Sequence, residues 1–200
     1  MSSKLLRNSA WLVVAIFLTV AVFGTVSITV PYQREQRIAK QLIELGGKVS
    51  YETLGPTWIP VKLRERLPIL ARVGRVDLNG TSVPADLLSD LGSLVHLKAL
   101  YLHSTPMTDA ELKSLQGLKE LTQLDLTGTN ITDSGVPYLH GLTRLQTLGL
   151  SHTQVTATGL EPLLQIPSLR YLELDGPAFT EIDRARMRND LPGCTVVPTP

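Results

Sequence analysis

The chain has 200 residues, 43% of them hydrophobic, with 19 Lys and Arg against 18 Asp and Glu. That length suits one modest core rather than several domains. Near-neutral charge without a basic stripe argues against nucleic acid as a partner, and the lone cysteine, Cys194, excludes an internal disulfide framework.

In chain order, the first feature is Ala10 to Val30, an unbroken run without a single charge. As a helix rising about 1.5 Å per residue it would span roughly 31 Å, close to the roughly 30 Å of a bilayer's hydrocarbon core. Its twelve Val, Ile, Leu and Phe residues favour insertion by about 0.3–0.6 kcal/mol each. The rival is a cleaved secretory signal, with Lys4 and Arg7 as its basic start and Thr25-Val-Ser27 as the cleavage region. Apolar cores of such signals usually run about 7–15 residues, so residues 1–31 are read as a tail and an uncleaved transmembrane helix. Lys4 and Arg7 before the span nearly balance Arg34, Arg37 and Lys40 after it, so positive charge does not fix the orientation.

Residues 32–72 form a helix and an N-terminal cap. Over Gln33 to Leu45, Ile38, Leu42 and Leu45 recur at helical spacing with Ala39 and Ile43 beside them, and Gly46-Gly47 supplies a stop. Lys48 to Glu52 follows as a strand. Val49 stands to Val73 as Val73 stands to Leu97, and Leu67 and Leu70 align in the same way with Leu91 and Leu94, which predicts a degenerate first turn of a stack. Trp58, in the loop Gly55 to Pro60, is either a lid on the core or a membrane-surface anchor.

Residues 73–179 repeat with a period of 24. Val73, Leu97, Leu121, Leu145 and Leu169 each open the phrase apolar-x-x-apolar-x-Leu. The alternation predicts a short strand, and the apolar residues later in each turn, such as Leu112, Leu115 and Leu118, step by three as a short helix does. A period in this range marks a solenoid, whose units bury together what none buries alone. Thr81, Thr105, Thr129 and Thr153 share the ninth place of their turns. A buried hydroxyl without a partner costs about 1–3 kcal/mol, so each is expected to bond to loop backbone. Thr108-Asp-Ala-Glu111 fits a capping box, and Thr132 and Thr156 occupy the same place, so helices are predicted to start there.

Residues 180–200 close the far end. Thr180 to Asn189 reads as a helix with Glu181 and Asp183 early and Arg184, Arg186 and Arg188 late, the order that suits a helix dipole. Val196 stands one full period after Leu172, so Cys194 to Val197 can add a last strand with Cys194 as core filling.

The phrase LTQLDLTGTNITDSGV, Leu121 to Val136, resembles bacterial leucine-rich repeats of the cysteine-poor type. An apolar segment followed by QREQRIAKQLIELGGKVSYE is similar to a group of membrane-anchored bacterial leucine-rich-repeat proteins. The resemblance implies an α/β fold: a right-handed solenoid with parallel strands on the concave face and short helices on the convex face, preceded by the transmembrane helix. It also implies protein binding, with the repeats on the extracytoplasmic side, and it transfers no catalytic residue.

The strand residues at the third, fifth and seventh places should point outward and form a patch. Its candidate contacts for a protein or peptide partner are Arg75, Asp77, Tyr101, His103, Gln123, Asp125, Tyr171 and Glu173, since Tyr is a frequent interface anchor. The plainer alternative is that these are soluble strand residues with good β-propensity. Residues 41 to 200 hold 14 Lys and Arg against 17 Asp and Glu, a balance of −3, which favours a basic or neutral partner. No metal-ligand spacing, phosphate-cradling loop or nucleophile motif is present in the sequence. The expectation is a non-enzyme without cofactor or metal, the alternatives being an envelope spacer and, more remotely, a hydrolase.

Overall fold

The computed structural model describes residues 30–55 and 59–198. Residues 10–29 of the expected membrane segment, and Trp58, lie outside the described residues. Among the described residues, no helix is long and apolar enough to cross a membrane.

Seven strands form one sheet in chain order: β1 (Lys48–Thr53), β2 (Ala71–Asp77), β3 (Ala99–Tyr101), β4 (Gln123–Asp125), β5 (Thr147–Gly149), β6 (Tyr171–Glu173) and β7 (Thr195–Val197). From β2 onward every pairing is parallel. The register is the sequence period itself: Val76, Leu100, Leu124, Leu148, Leu172 and Val196 stand opposite one another. Their side chains point inward, none more than 2% exposed, beside equally buried ladders through Leu97, Leu121 and Leu145 and through Leu102, Leu126 and Leu150. Stacking at about 4.8 Å is what lets a three-residue strand bury so much apolar surface.

The ladder continues past each strand. At the eighth place of successive turns, Gly80, Ser104, Gly128, His152 and Gly176 all have positive φ, between 54° and 113°. This left-handed residue turns the chain inward. The next one, Thr81, Thr105, Thr129 or Thr153, donates its hydroxyl to the carbonyl three residues back, at 2.6–2.8 Å. The threonine ladder therefore satisfies itself within each turn.

The N-terminal end is not a degenerate turn. A helix over residues 30–44, α1, lays Ile38, Ala39 and Leu42 on the end of the core, while Ile43 and Leu45 face out. Gly46, at φ +91°, and Gly47 then reverse the chain. Gly47 has no room for a side chain, since a Cβ there would meet Leu78 Cδ2 at 2.5 Å. The reversal makes β1 antiparallel to β2, with Val49 opposite Val76 and a bulge between Ser50 and Tyr51. The one-period step from Val49 to Val73 thus has no structural counterpart. A single helical turn, α2 (Val61–Arg64), lies between β1 and β2 and buries nothing, and Leu67 after it is exposed rather than core. Glu35 of α1 is buried, accepts the Val73 N–H, and lies 3.7 Å from the Arg72 guanidinium.

The convex side also differs from expectation. α3 (Ala85–Asp90) and α4 (Asp109–Ser114) are α-helical, and Thr108 and Glu111 close the predicted capping box. The next two turns instead carry 3₁₀ segments, Val136–Gly141 and Thr158–Gln165, and helices do not start at Thr132 or Thr156. Pro137 and Pro162 are part of the reason, because each lacks the N–H that α-helical bonding needs. The other part is that both threonines are engaged with the preceding turn. The Asp109 carboxylate accepts the Thr132 N–H at 2.9 Å and its hydroxyl at 2.6 Å; Asp133 does the same for Thr156, both at 2.7 Å. These clamps pin neighbouring turns, and they need glycine: a Cβ on Gly159 would stand 1.9 Å from Asp133 Oδ1, and one on Gly135 2.2 Å from Asp109 Oδ1.

The C-terminal end follows prediction. α5 (Glu181–Asp190) has a Thr180–Asp183 capping box, and β7 sets Val196 opposite Leu172. Cys194 is buried in the core. The arginines serve the cap: Arg184 and Arg188 pair with Glu181 at 3.0 and 2.7 Å and donate to the carbonyls of Leu174 and Val196.

Candidate partner-binding face

Each three-residue strand turns its middle side chain into the core and leaves its outer two on the opposite face. That places Arg75, Asp77, Gln123, Asp125, Tyr101, Tyr171 and Glu173 on one surface, all at least partly exposed. His103, just past the end of β3, is exposed at its rim. Register brings third-place residues into one row and fifth-place residues into another: Asp77, Tyr101, Asp125, Gly149 and Glu173 follow one another strand by strand.

Part of this surface is preorganised. The Arg75 guanidinium lies over the Tyr101 ring at 5.6 Å, and the Tyr101 hydroxyl donates to Gln123 Oε1 at 2.5 Å, a chain across three strands. Asp125 Oδ1 accepts the Thr127 N–H at 2.9 Å. Asp77 Oδ1 accepts the Asn79 N–H at 3.2 Å, and Asn79 Oδ1 in turn accepts the His103 N–H at 2.9 Å.

Four of the predicted residues, Tyr101, Gln123, Asp125 and Glu173, converge on a cavity of about 210 Å3, completed by Leu124, Thr147 and Gly149. Arg75 reaches this group only through the Tyr101 ring. Asp77, His103 and Tyr171 lie outside the cavity lining. Burial pushes the Glu173 carboxyl above its ordinary value, and the Asp125 charge two strands away pushes it further. Neither Asp125 nor Glu173 forms an ion pair among the described residues.

The face is narrower than the third, fifth and seventh places suggest. Ala99 at the third place, Gly149 at the fifth, and Thr127 and Ser151 at the seventh are buried, whereas Asn79 and His103, also at the seventh, are exposed; the Ser151 hydroxyl accepts the Asp175 N–H at 3.0 Å. Gly149 belongs to the outward patch of the sequence but not to its candidate contacts, although it lines the cavity. Its signal was a missing side chain in a row that otherwise holds Asp, Tyr, Asp and Glu. Among the described residues, no group of three or more His, Cys, Asp and Glu is placed to hold a metal ion.

With that geometry in view, the repeat class can be stated: residues 95–155 match the family described as Leucine rich repeat, and the fold is a leucine-rich-repeat solenoid with parallel strands. Among solved structures, the chain is similar to a leucine-rich-repeat protein of Leptospira interrogans (24% identity, covering 58% of this chain and 28% of that one, TM-score 0.44). It is also similar to internalin C2 of Listeria monocytogenes (31% identity, 55% and 44% covered, TM-score 0.44). A third is the ectodomain of the receptor kinase SOBIR1 of Arabidopsis thaliana (17% identity, 72% and 82% covered, TM-score 0.44). The chain spans less than half the length of the first two, and at these scores the likeness says nothing of partners or activity. No curated protein matches the chain.

Proposed function

We propose that this chain is a membrane-anchored interaction module that binds a protein or peptide through the concave face of its solenoid. Residues 10–30 supply the anchor, and the repeats stand on the extracytoplasmic side. The observation that carries the binding role is the convergence of Tyr101, Gln123, Asp125 and Glu173 on one open cavity of the sheet face. Leucine-rich-repeat domains commonly serve as interaction modules, and an aromatic anchor ringed by polar groups is the usual make-up of a binding hot spot.

The test uses the full chain in its native membrane, with proximity labelling of wild type and of Tyr101→Ala combined with Tyr171→Ala. A saturable labelled partner that the double variant loses at unchanged melting temperature supports the reading. Equal labelling by both proteins removes the concave site, and absence of any saturable partner favours a passive spacer. Resistance to alkaline extraction, with protease access to the repeats in intact cells, tests the anchor and its orientation.

A further inference from the structure

We infer that the notch above Gly149 receives a cationic side chain, arginine foremost, from an extended segment of the partner, with Asp125 and Glu173 as its counter-charges. This rests on the concave face being the binding face.

Three observations carry it. The first is shape. The fifth-place row holds a side chain on β3, β4 and β6 but none on β5, where a Cβ on Gly149 would stand 2.7 Å from Asp125 Oδ1 and 2.9 Å from Thr127 Oγ1. Asp125 and Thr127 thus pack over the bare backbone of Gly149, and a side chain there would displace Asp125 from the wall of the cavity that both residues line. At about 210 Å3 it falls below the roughly 300–1,000 Å3 of small-molecule sites, and so fits one side chain better than a whole ligand.

The second is charge. On β2 to β6 the outward Asp77, Asp125, Glu173 and Asp175 outnumber the cations beside them, Arg75, which is engaged with the Tyr101 ring, and Lys48 of β1, which stands opposite Asp77 and away from the cavity. Asp125 and Glu173, on strands two apart and so separated by roughly 10 Å of sheet, line the cavity from opposite sides of Gly149. An anionic guest would be repelled, whereas a cation meets two carboxylates that have no ion-pair partner among the described residues.

The third is donor and acceptor balance. Asp125 and Glu173 only accept when ionised, and the Tyr101 hydroxyl spends its proton on Gln123, which leaves its oxygen lone pairs for a guest. A lining rich in acceptors calls for a donor-rich guest, and arginine brings five N–H groups on a planar fork. The Tyr101 ring offers a face for that plane on the side not used by Arg75.

The experiment immobilises the full chain in detergent and passes over it four pools of random nonapeptides whose central residue is fixed as Arg, Lys, citrulline or Glu. Retention of the Arg pool over the citrulline pool by roughly tenfold or more, the worth of one charge-assisted hydrogen bond, is expected, with Lys intermediate and Glu lowest. Asp125→Asn with Glu173→Gln, which keeps shape and acceptor oxygens, should erase that preference, and Gly149→Ala should reduce it by displacing the Asp125 carboxylate; melting curves confirm that both variants fold. Equal retention of the Arg and citrulline pools, abolished by Tyr101→Ala, overturns the cationic notch and leaves the binding face standing. A preference for Arg that survives both variants overturns the notch as well. Failure to retain any pool overturns notch and face together.

Discussion

The central turns and the N-terminal cap both bury apolar side chains but differ in the polar contacts that accompany them. Between β3 and β6 the interior is a set of apolar ladders, and the threonines of its polar ladder bond to their own turn. At the cap, α1 brings a carboxylate, Glu35, to the edge of β2 beside Arg72, and an antiparallel strand with a bulge replaces the parallel one. A repeating unit meets a copy of itself on both sides, so one solution serves every turn. An end meets something unlike itself, and it uses polar contacts made once to stop the stack. The arginines of α5, bonded to strand carbonyls at the other end, show the same logic.

The largest effect that would sharpen this contrast is in the centre. Leu124→Ala empties a fully packed ladder with neighbours on both sides, and a loss of about 2–5 kcal/mol is expected in denaturant unfolding; a loss below about 1 kcal/mol would break the claim of a shared core. Next comes the clamp between turns. Gly159→Ala forces Asp133 off Thr156, so unfolding should show a loss of about 1–3 kcal/mol. Asp133→Ala alone should show a loss of similar size, and adding Gly159→Ala to it should cost little more, which would identify displacement of Asp133 as the cause.

A smaller effect, of opposite sign, is expected at the cap. Burial raises the Glu35 carboxyl above its ordinary value, outweighing the Val73 N–H, Arg72 and His96, which act to lower it. A carboxyl raised on folding destabilises the native state once it is ionised in both states, so the wild type loses stability as pH rises from the ordinary glutamate range through the raised value. Glu35→Gln keeps an acceptor for the Val73 N–H and does not titrate. Its stability relative to wild type should therefore grow with pH across that window, as read from melting temperatures; the reverse trend would show that the Arg72 pair dominates. The smallest effect belongs to the turns. Ser104 holds a left-handed φ of 55° where Gly80 and Gly128 stand in neighbouring turns, so Ser104→Gly should stabilise by under about 1 kcal/mol, relief of strain being offset by chain entropy.

The same contrast explains what could be read from the residues alone. The register of β2 to β7 was legible because each ladder position recurs once per period, turn after turn, and a coincidence sustained over that many turns is improbable. At the cap the coincidences ran over a single period, Val49 with Val73 and Leu67 and Leu70 with Leu91 and Leu94, and they misled, because a reversal at Gly46-Gly47 sets strand direction more strongly than spacing does. The convex segments were legible as apolar steps of three but not as 3₁₀, since that depended on Asp109 and Asp133 reaching forward into the next turn. On the candidate face, the sequence identified Arg75, Asp77, Tyr101, His103, Gln123, Asp125, Tyr171 and Glu173 as outward. It did not show that four of the eight candidates line one cavity together with Gly149.

That gathering depends on β4 and β5 lying side by side in register on the exposed face, and engineered cysteines test it directly. In the full chain with Cys194→Ala, Gln123→Cys and Thr147→Cys occupy paired positions on adjacent strands, about 4.8 Å apart and within disulfide reach. Mild oxidation should join them, while Gln123→Cys with Tyr171→Cys, two strands apart at roughly 10 Å, should stay reduced. Cross-linking of the second pair in preference to the first would contradict the stack and, with it, the shared cavity.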